Sequence, residues 1–375
     1  MIPRLIEEDI LAKLQPNKAI VIYGPRQVGK TTLLKALLTK IQEDYLFVSG
    51  EDNFVRAWLG SQSIDILKQN IGTKRLLIID EAQKIDQIGL NLKLIIDHIE
   101  NMKVIATGSS SFELANQIGE PLVGRKWQYI LYPISQIELN LIEQKFQTIA
   151  NLPTRLIYGA YPLVITSESL DEKREILHSL IDSHLYKDLL EFDEIKKSAK
   201  ILDILRLMAF QIGKEVSLNE IATQVHLDLR TVEKYLDLLE KVFVIKRFFG
   251  FSRNLRKEIT KNSRFYFFDN GIRNALINNF NALNIRDDLG QLWENYLVME
   301  RLKKQSYKKI YANNYFWRTY DKKEIDFIEE RDGHLFGFEF KWSNKKVKAP
   351  KEWLESYQNA SFEVINQDNF LGFIS

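Results

Sequence analysis

The chain has 375 residues, of which 45% are hydrophobic and 27% charged, with a net charge of +2 and no cysteine. That length implies more than one domain, with ample apolar material for several cores. The lack of cysteine excludes disulfides and thiolate metal sites, and a charge so near neutral gives no whole-chain argument for nucleic acid. The five histidines, His98, His178, His184, His226 and His334, are scattered without metal-ligand spacing. No apolar run approaches a membrane span, and Met1 to Asp9 lack the apolar core of a signal peptide. The expectation is a cytoplasmic protein without membrane contact.

Ile10, Leu11 and Leu14 suggest a short amphipathic helix before the first strand. The apolar run Ile20 to Tyr23 then ends in Gly24-Pro25-Arg26-Gln27-Val28-Gly29-Lys30-Thr31-Thr32. This is G-x-x-x-x-G-K-T, placed between a strand and a helix predicted from Thr31 to Thr39, as a phosphate-binding P-loop requires. The glycines let backbone N–H groups turn inward around a triphosphate, and the helix N-terminus adds its positive dipole end. In that reading Lys30 reaches the β- and γ-phosphates of ATP, and the Thr31 hydroxyl ligates Mg²⁺. Arg26 is a second candidate phosphate contact.

Further strands are predicted at Tyr45 to Val48, Arg75 to Glu81, Lys103 to Ser109 and Trp127 to Tyr132, with helical patterns between. Strands alternating with helices imply a parallel α/β sheet, and the continuous apolar run before Asp80 fits a strand buried on both faces. Asp80 at the strand's carboxyl end is positioned to hold Mg²⁺ through water. Glu81, next to it, can orient and deprotonate an attacking water. Taken alone, an Asp-Glu pair at a strand end is more simply a helix cap or a solvated turn, and the P-loop upstream turns the reading toward catalysis. Thr107 and Ser109, where the fourth strand ends, are equally readable as groups that position water or sense the γ-phosphate and as ordinary helix caps, with Ser110 and Ser111 also eligible.

These motifs, together with Ile79-Asp80-Glu81-Ala82-Gln83-Lys84, Thr107-Gly108-Ser109-Ser110 and Leu131-Tyr132-Pro133-Ile134-Ser135, resemble the AAA+ ATPases that carry an appended DUF4143 domain. The resemblance extends over nearly the whole chain. It implies that Arg125, in Leu122-Val123-Gly124-Arg125, is a candidate finger for a neighbouring subunit's site, and hence a homo-oligomer; an exposed surface arginine reads the same way in sequence. Gly159-Ala160-Tyr161-Pro162 resembles a Gly-Tyr-Pro turn of that family, near the adenine in related ATPases, and is equally a plain turn between helices.

Residues 135–198 read mostly as helix, the expected lid of the ATPase. From Lys200 to Phe251 the pattern is a helix, a helix-turn-helix with Ser217 and Glu220 as its capping box, and a hairpin arm, resembling a winged helix. Its second helix exposes Arg230, Glu233, Lys234 and Asp237, a mixed face unsuited to reading DNA. Residues 246–264 carry Lys246, Arg247, Arg253, Arg256, Lys257, Lys261 and Arg264 against Glu258 alone, which suggests contact with DNA phosphates. The alternative is a winged helix that only packs against the ATPase.

The last region opens with a helix, Gly290 to Gln305, bearing Glu294. Antiparallel strands follow at Tyr315 to Tyr320, Glu324 to Glu329 and Leu335 to Trp342, with a hairpin turn at Arg331-Asp332-Gly333. Glu339 and Lys341 are two apart and share a strand face. The order Glu294, Asp326, then Glu339-x-Lys341 resembles the PD-(D/E)XK nuclease fold. That likeness implies a second metal site at Glu294, Asp326 and Glu339, with Lys341 beside it; a solvated strand face is the competing reading. The expected fold class is α/β, a P-loop NTPase parallel sheet with a helical lid, a winged-helix domain and a C-terminal α+β nuclease-like domain. The expected boundaries are 1–134, 135–198, 199–275 and 276–375. The expected function is Mg²⁺-assisted ATP hydrolysis coupled to DNA or a protein partner. A slow nucleotide-dependent switch and an ATP-gated nuclease are the alternatives.

Overall fold

A computed structural model describes residues 2–109, 122–185, 198–252, 263–319 and 323–375. The chain forms two compact units, Met1–Tyr132 with Lys241–Phe243, and Pro133–Glu240 with Val244–Ser375.

The first unit holds a five-stranded parallel sheet built from β1 (Lys18–Tyr23), β2 (Tyr45–Ser49), β3 (Leu76–Asp80), β4 (Lys103–Gly108) and β5 (Lys126–Ile130). Its strand order is β2-β3-β4-β1-β5. Every residue of β3 is buried, as expected of an inner strand covered by helices on both faces. Edge strand β2 instead leaves Tyr45 and Phe47 exposed. Because the strands are parallel, their carboxyl ends line one edge, and the order places β4 between the P-loop strand β1 and the Asp80 strand β3. Ligands in open parallel sheets bind at that edge. Ile22 pairs with Thr107 and Ile79 with Ala106, so Thr107 stands between the P-loop and Asp80.

The second unit begins with helices, among them Lys145–Tyr158 and Leu170–Ser179. Its mixed sheet contains β6 (Glu215–Val216), β7 (Ile245–Gly250), β8 (Ser263–Phe267), β9 (Asn313–Arg318), β10 (Glu324–Arg331), β11 (His334–Phe340) and β12 (Ala360–Ile365). The order is β12-β11-β10-β9-β7-β8-β6. The arm of the helix-turn-helix region and the C-terminal strands are therefore one sheet, joined where β7 runs parallel to β9 at Phe249↔Tyr315 and Gly250↔Phe316. The expected boundary at 275/276 lies in the Asn270–Leu276 helix, between β8 and β9 of this sheet in sequence.

One sheet face packs Phe251, Trp317, Ile325, Ile328 and Leu335 around fully buried Trp353. The other face receives the Leu289–Lys308 helix, where Arg301 and Glu329 form a buried bidentate pair. A bulge in β10 between Ile325 and Ile328 serves both faces. It sends Ile325 and Ile328 to the Trp353 cluster. Asp326 lies against Arg264 and the Phe327 ring against Phe373, on the opposite face. An extra residue in one strand re-aims side chains in this way. Removing a side chain as large as that of Trp353 costs about 3–5 kcal/mol in a packed core.

Candidate functional site

The nucleotide site is assembled at the carboxyl edge of the parallel sheet. Gly24 leaves β1 with φ 155°, and a Cβ there would lie 2.2 Å from the Leu131 carbonyl oxygen, so only glycine fits. Gly29 has φ 94°, a left-handed conformation that glycine adopts without steric cost. It precedes the Lys30–Lys40 helix, whose free N–H groups open toward the loop. Between them Arg26 is half-buried and Gln27 is exposed, while Pro25 and Val28 are buried. Lys30 is buried, and its Nζ donates to the carbonyl oxygens of Gly24 and Pro25, each at 2.9 Å. Thr31 and Thr32 are exposed on the first turn.

The Thr31 hydroxyl donates to Asp80 Oδ2 at 2.6 Å, tying the P-loop helix to the end of β3. Thr107 donates to the other carboxylate oxygen, and the Glu81 backbone N–H to that same oxygen at 3.2 Å. Asp80 is thus fixed from three sides. Thr107 is fully buried, and its hydroxyl donates to Asp80. Glu81 has φ 53°, left-handed for a residue with a Cβ, a conformation that costs on the order of 1–3 kcal/mol and persists where surrounding structure imposes it.

Gln83 was not singled out from the sequence. Its buried amide nitrogen donates to Glu81 Oε2 at 2.7 Å and to Ser109 Oγ at 3.0 Å. Ser109 is therefore linked to Glu81 through Gln83; Ser110 and Ser111 lie outside the described residues. Arg4 was also missed. Its guanidinium donates to the Val28 carbonyl at 2.9 Å and the Tyr132 carbonyl at 2.6 Å, clamping the P-loop from below. No local pattern marks Arg4 or Gln83 as functional, although Gln83 lies in the quoted Asp80 to Lys84 run.

Arg125 stands elsewhere. The β1–β5 register runs from Ala19↔Lys126 to Tyr23↔Ile130, so Arg125 lies at the amino ends of the strands. The P-loop follows their carboxyl ends, on the order of 13 Å of strand away at 3.3 Å per residue. Its side chain is 43% exposed and pairs with Asp97 at 3.1 Å.

In the second unit the structure brings Glu294, Asp326, Glu339 and Lys341 together, with three residues not assigned to the site from sequence. Arg264 on β8 is buried among the carboxylates, 2.7 Å from Glu324 and 3.6 Å from both Glu294 and Asp326. Tyr266 donates its hydroxyl to Glu294 at 2.6 Å. Lys341 Nζ lies 2.6 Å from Glu339 Oε1. Burial, followed by the charge of Asp326, pushes Glu294 up to about 8 and Glu339 up to about 7. Burial acts against the charge on Arg264, yet Tyr266, Glu294, Asp326 and Glu324 together hold its pKa above the ordinary arginine value. Among the described residues, no group of three or more carboxylates and histidines is arranged to hold a metal ion.

The burial of Arg264 corrects its place in the basic run 246–264, since it is not a surface cation. Lys246 pairs with Glu240, and Arg247 Nε donates to Ser263 Oγ at 2.8 Å. Arg253, Arg256, Lys257, Glu258 and Lys261 lie outside the described residues.

Sheet, loop and Thr31–Asp80 link define a nucleotide-binding P-loop ATPase fold of the AAA type. Residues 16–140 match the model of an AAA domain, and residues 289–370 match DUF4143, a domain of unknown function. Residues 149–283 match a further domain of unknown function, DUF8612. The chain thus carries an AAA domain followed, toward its C-terminus, by a DUF4143 domain. It is 26% identical over 327 residues to an uncharacterized protein of Mycobacterium tuberculosis, covering 86% of this chain and 70% of that one. It is 23% identical over 392 residues to an uncharacterized protein of Methanocaldococcus jannaschii, covering 98% and 86%. A Walker-type ATPase of Pyrococcus abyssi superposes with a TM-score of 0.48 at 15% identity, over 74% of this chain and 96% of that one. No helix among the described residues is long and apolar enough to cross a membrane.

Proposed function

We propose that the chain hydrolyses ATP, with Glu81 as general base. The observation that carries this reading is the 2.6 Å bond between Thr31 and Asp80, which places two hard oxygens side by side at the mouth of the P-loop. Such oxygens suit Mg²⁺. Thr31 would ligate the ion directly and Asp80 through water; bound there, Mg²⁺ neutralises charge on the phosphates. Lys30 and the loop N–H groups from Gly24 to Thr32, all but Pro25, which has none, hold the β- and γ-phosphates. A water attacks the γ-phosphorus as the bond to the bridging oxygen breaks; its proton passes to Glu81, giving ADP and phosphate. Gln83 occupies one Glu81 oxygen and leaves the other to receive that proton.

In this proposal the helices of residues 135–198 act as a lid. The succession of helices Ser198–Phe210, Leu218–Val225 and Leu229–Lys241 with strands β6, β7 and β8 supports the winged-helix reading. Turnover is coupled to a partner. Among the described residues of 246–264, Lys246, Arg247 and Arg264 are engaged within the protein, and the partner we propose is a protein. Arg125, remote from its own P-loop, serves a neighbouring copy in a homo-oligomer. Phosphate release from ATP by the pure protein, abolished by chelating Mg²⁺, tests the activity. No release under any condition leaves the nucleotide switch. Stimulation by DNA would reverse the choice of partner. A mixture of Arg125→Ala and Glu81→Gln chains should recover activity that neither has alone, since trans fingers are worth roughly 10³–10⁵ in kcat. A solution monomer whose mixtures stay inactive removes the trans role.

A further inference from the structure

The nuclease-like arrangement of Glu294, Asp326, Glu339 and Lys341 implies a divalent metal, and the structure provides a direct test of that fit. Four carboxylates, counting Glu324, come from three elements: Glu294 from the Leu289–Lys308 helix, Glu324 and Asp326 from β10, and Glu339 from β11. A Mg²⁺ or Mn²⁺ ion would need several of their oxygens within about 2.0–2.2 Å of one point. That space is taken. The Arg264 guanidinium reaches Glu324 at 2.7 Å with one nitrogen, and Glu294 and Asp326 at 3.6 Å with the other. Its plane lies over the Phe316 ring, 4.7 Å from the centroid, which fixes it from the side.

Three of the remaining carboxylate oxygens are engaged as well. Asp326 Oδ2 accepts the Phe340 backbone N–H at 2.9 Å. Glu294 Oε1 accepts the Tyr266 hydroxyl. Glu339 Oε1 is held by Lys341, while its buried Oε2 has no hydrogen-bond partner. The formal count is four negative groups against Arg264 and Lys341, so the cluster still favours cations. The cation already present is covalently part of the chain. It arrives from β8, a strand outside the Glu294 to Lys341 stretch that carries the nuclease-like pattern.

We infer that Arg264 is the resident cation of this cluster, standing in the place a divalent metal would occupy, and that the C-terminal domain is consequently a metal-free, non-cleaving module. Arg264 joins β8, β10 and the Leu289–Lys308 helix through charge-assisted contacts, as a structural metal would. Buried charges are retained only where they are paired in this way.

The test is Mn²⁺ binding to the nucleotide-free full chain, counted by electron paramagnetic resonance of free Mn²⁺ and checked by calorimetry. Wild type should bind no Mn²⁺ that Asp326→Asn removes; any ion held near Thr31 and Asp80 is recognised by its loss in Asp80→Asn. Arg264→Ala should gain one Mn²⁺ per chain, lost again in Arg264→Ala/Asp326→Asn, and Mn²⁺ should raise its melting temperature but not that of wild type. A wild-type Mn²⁺ site abolished by Asp326→Asn overturns the inference. So does Mn²⁺-dependent nicking of supercoiled DNA that is lost in Asp326→Asn or Glu339→Gln. A folded Arg264→Ala that gains no ion also overturns it, because the guanidinium would then not be what fills the site. Should Arg264→Ala fail to fold, the comparison of wild type with Asp326→Asn and the nicking assay still decide the matter.

Discussion

The P-loop site and the Arg264 cluster are both polar centres set into sheets, but their charges come from opposite kinds of sequence. At the P-loop, one contiguous loop supplies backbone N–H groups, glycine conformations and Lys30, and one strand end supplies Asp80 and Glu81. Loop N–H groups at a helix N-terminus are the kind that bind an external anion. In the second unit, seven charged or phenolic groups converge from the neighbouring strands β10 and β11 and the residue just after β11, from β8, which is separated from β10 by β9 and β7, and from a helix. They complete one another, with Arg264 supplying what a ligand would. An anion-binding site can therefore be written locally, because backbone geometry does much of the recognition. A self-satisfied ionic cluster exists only once the tertiary fold has formed.

Lys30→Ala should have the largest effect and breaks only the first of these two centres. It removes the cation at the phosphates, so ATP binding by calorimetry should disappear while melting of the second unit is unchanged. Retained binding would mean that the loop does not hold the phosphates as described. Glu81→Gln comes next. The amide cannot take the water's proton, so kcat should fall by about 10²–10⁴-fold, the usual range for a general base, with ATP affinity kept. Turnover within a factor of two of wild type would remove Glu81 from that role.

The same contrast explains what could be read from the sequence. Gly24 to Thr32 and Asp80-Glu81 are legible because each signal is continuous: an apolar run, then the chemistry. The parallel sheet is legible from the buried run before Asp80. Arg4, Gln83 and the partnership of Thr107 with Asp80 were not, since each depends on which strand lies beside which. The charge count along residues 246–264 misread Arg264, because counting charges along a chain says nothing of burial. Glu324 and Asp326, two apart on one strand, share a face, but the guanidinium between them comes from sixty residues away in sequence. The seven-stranded sheet was hidden for the same reason: the β7–β9 pairing is parallel, with no turn to announce it.

A smaller effect sharpens the picture of the P-loop site. Gln83→Ala removes the donor shared by Glu81 and Ser109. A hydrogen bond to a charged group contributes roughly 1.5–3 kcal/mol, but Glu81 is only partly buried and water can replace the lost donor. The expected outcome is a fall of about tenfold in kcat with little change in KM for ATP, the signature of a group that orients the base rather than binds substrate. A rise in KM with unchanged kcat would make Gln83 a structural brace of the loop instead.

The smallest expected effect lies in the second centre and is read as stability against pH. Glu294 is pushed from 4.5 to about 8 and Glu339 to about 7, first by burial and then by the charge of Asp326, itself raised by burial. The groups facing them are Arg264 and Tyr266 from β8, Glu324 and Asp326 from β10, and Lys341 beyond β11. With the folded pKa above the unfolded one, the folded state binds more protons, so the stabilisation is complete below about 4.5 and is lost as pH rises toward 8. Glu329 acts in the opposite direction. Burial would raise its pKa, but Arg301 more than offsets this and lowers it, so its contribution is present above 4.5 and lost in acid. The two together place maximal stability of the second unit near the acid end of the neutral range, with the denaturation midpoint falling from pH 5 to pH 8. Glu294→Gln should flatten that fall while keeping an acceptor for Tyr266. A wild-type slope in this variant, measured by urea denaturation at both pH values, would show that Glu294 is ionised throughout and that Arg264 neutralises it fully.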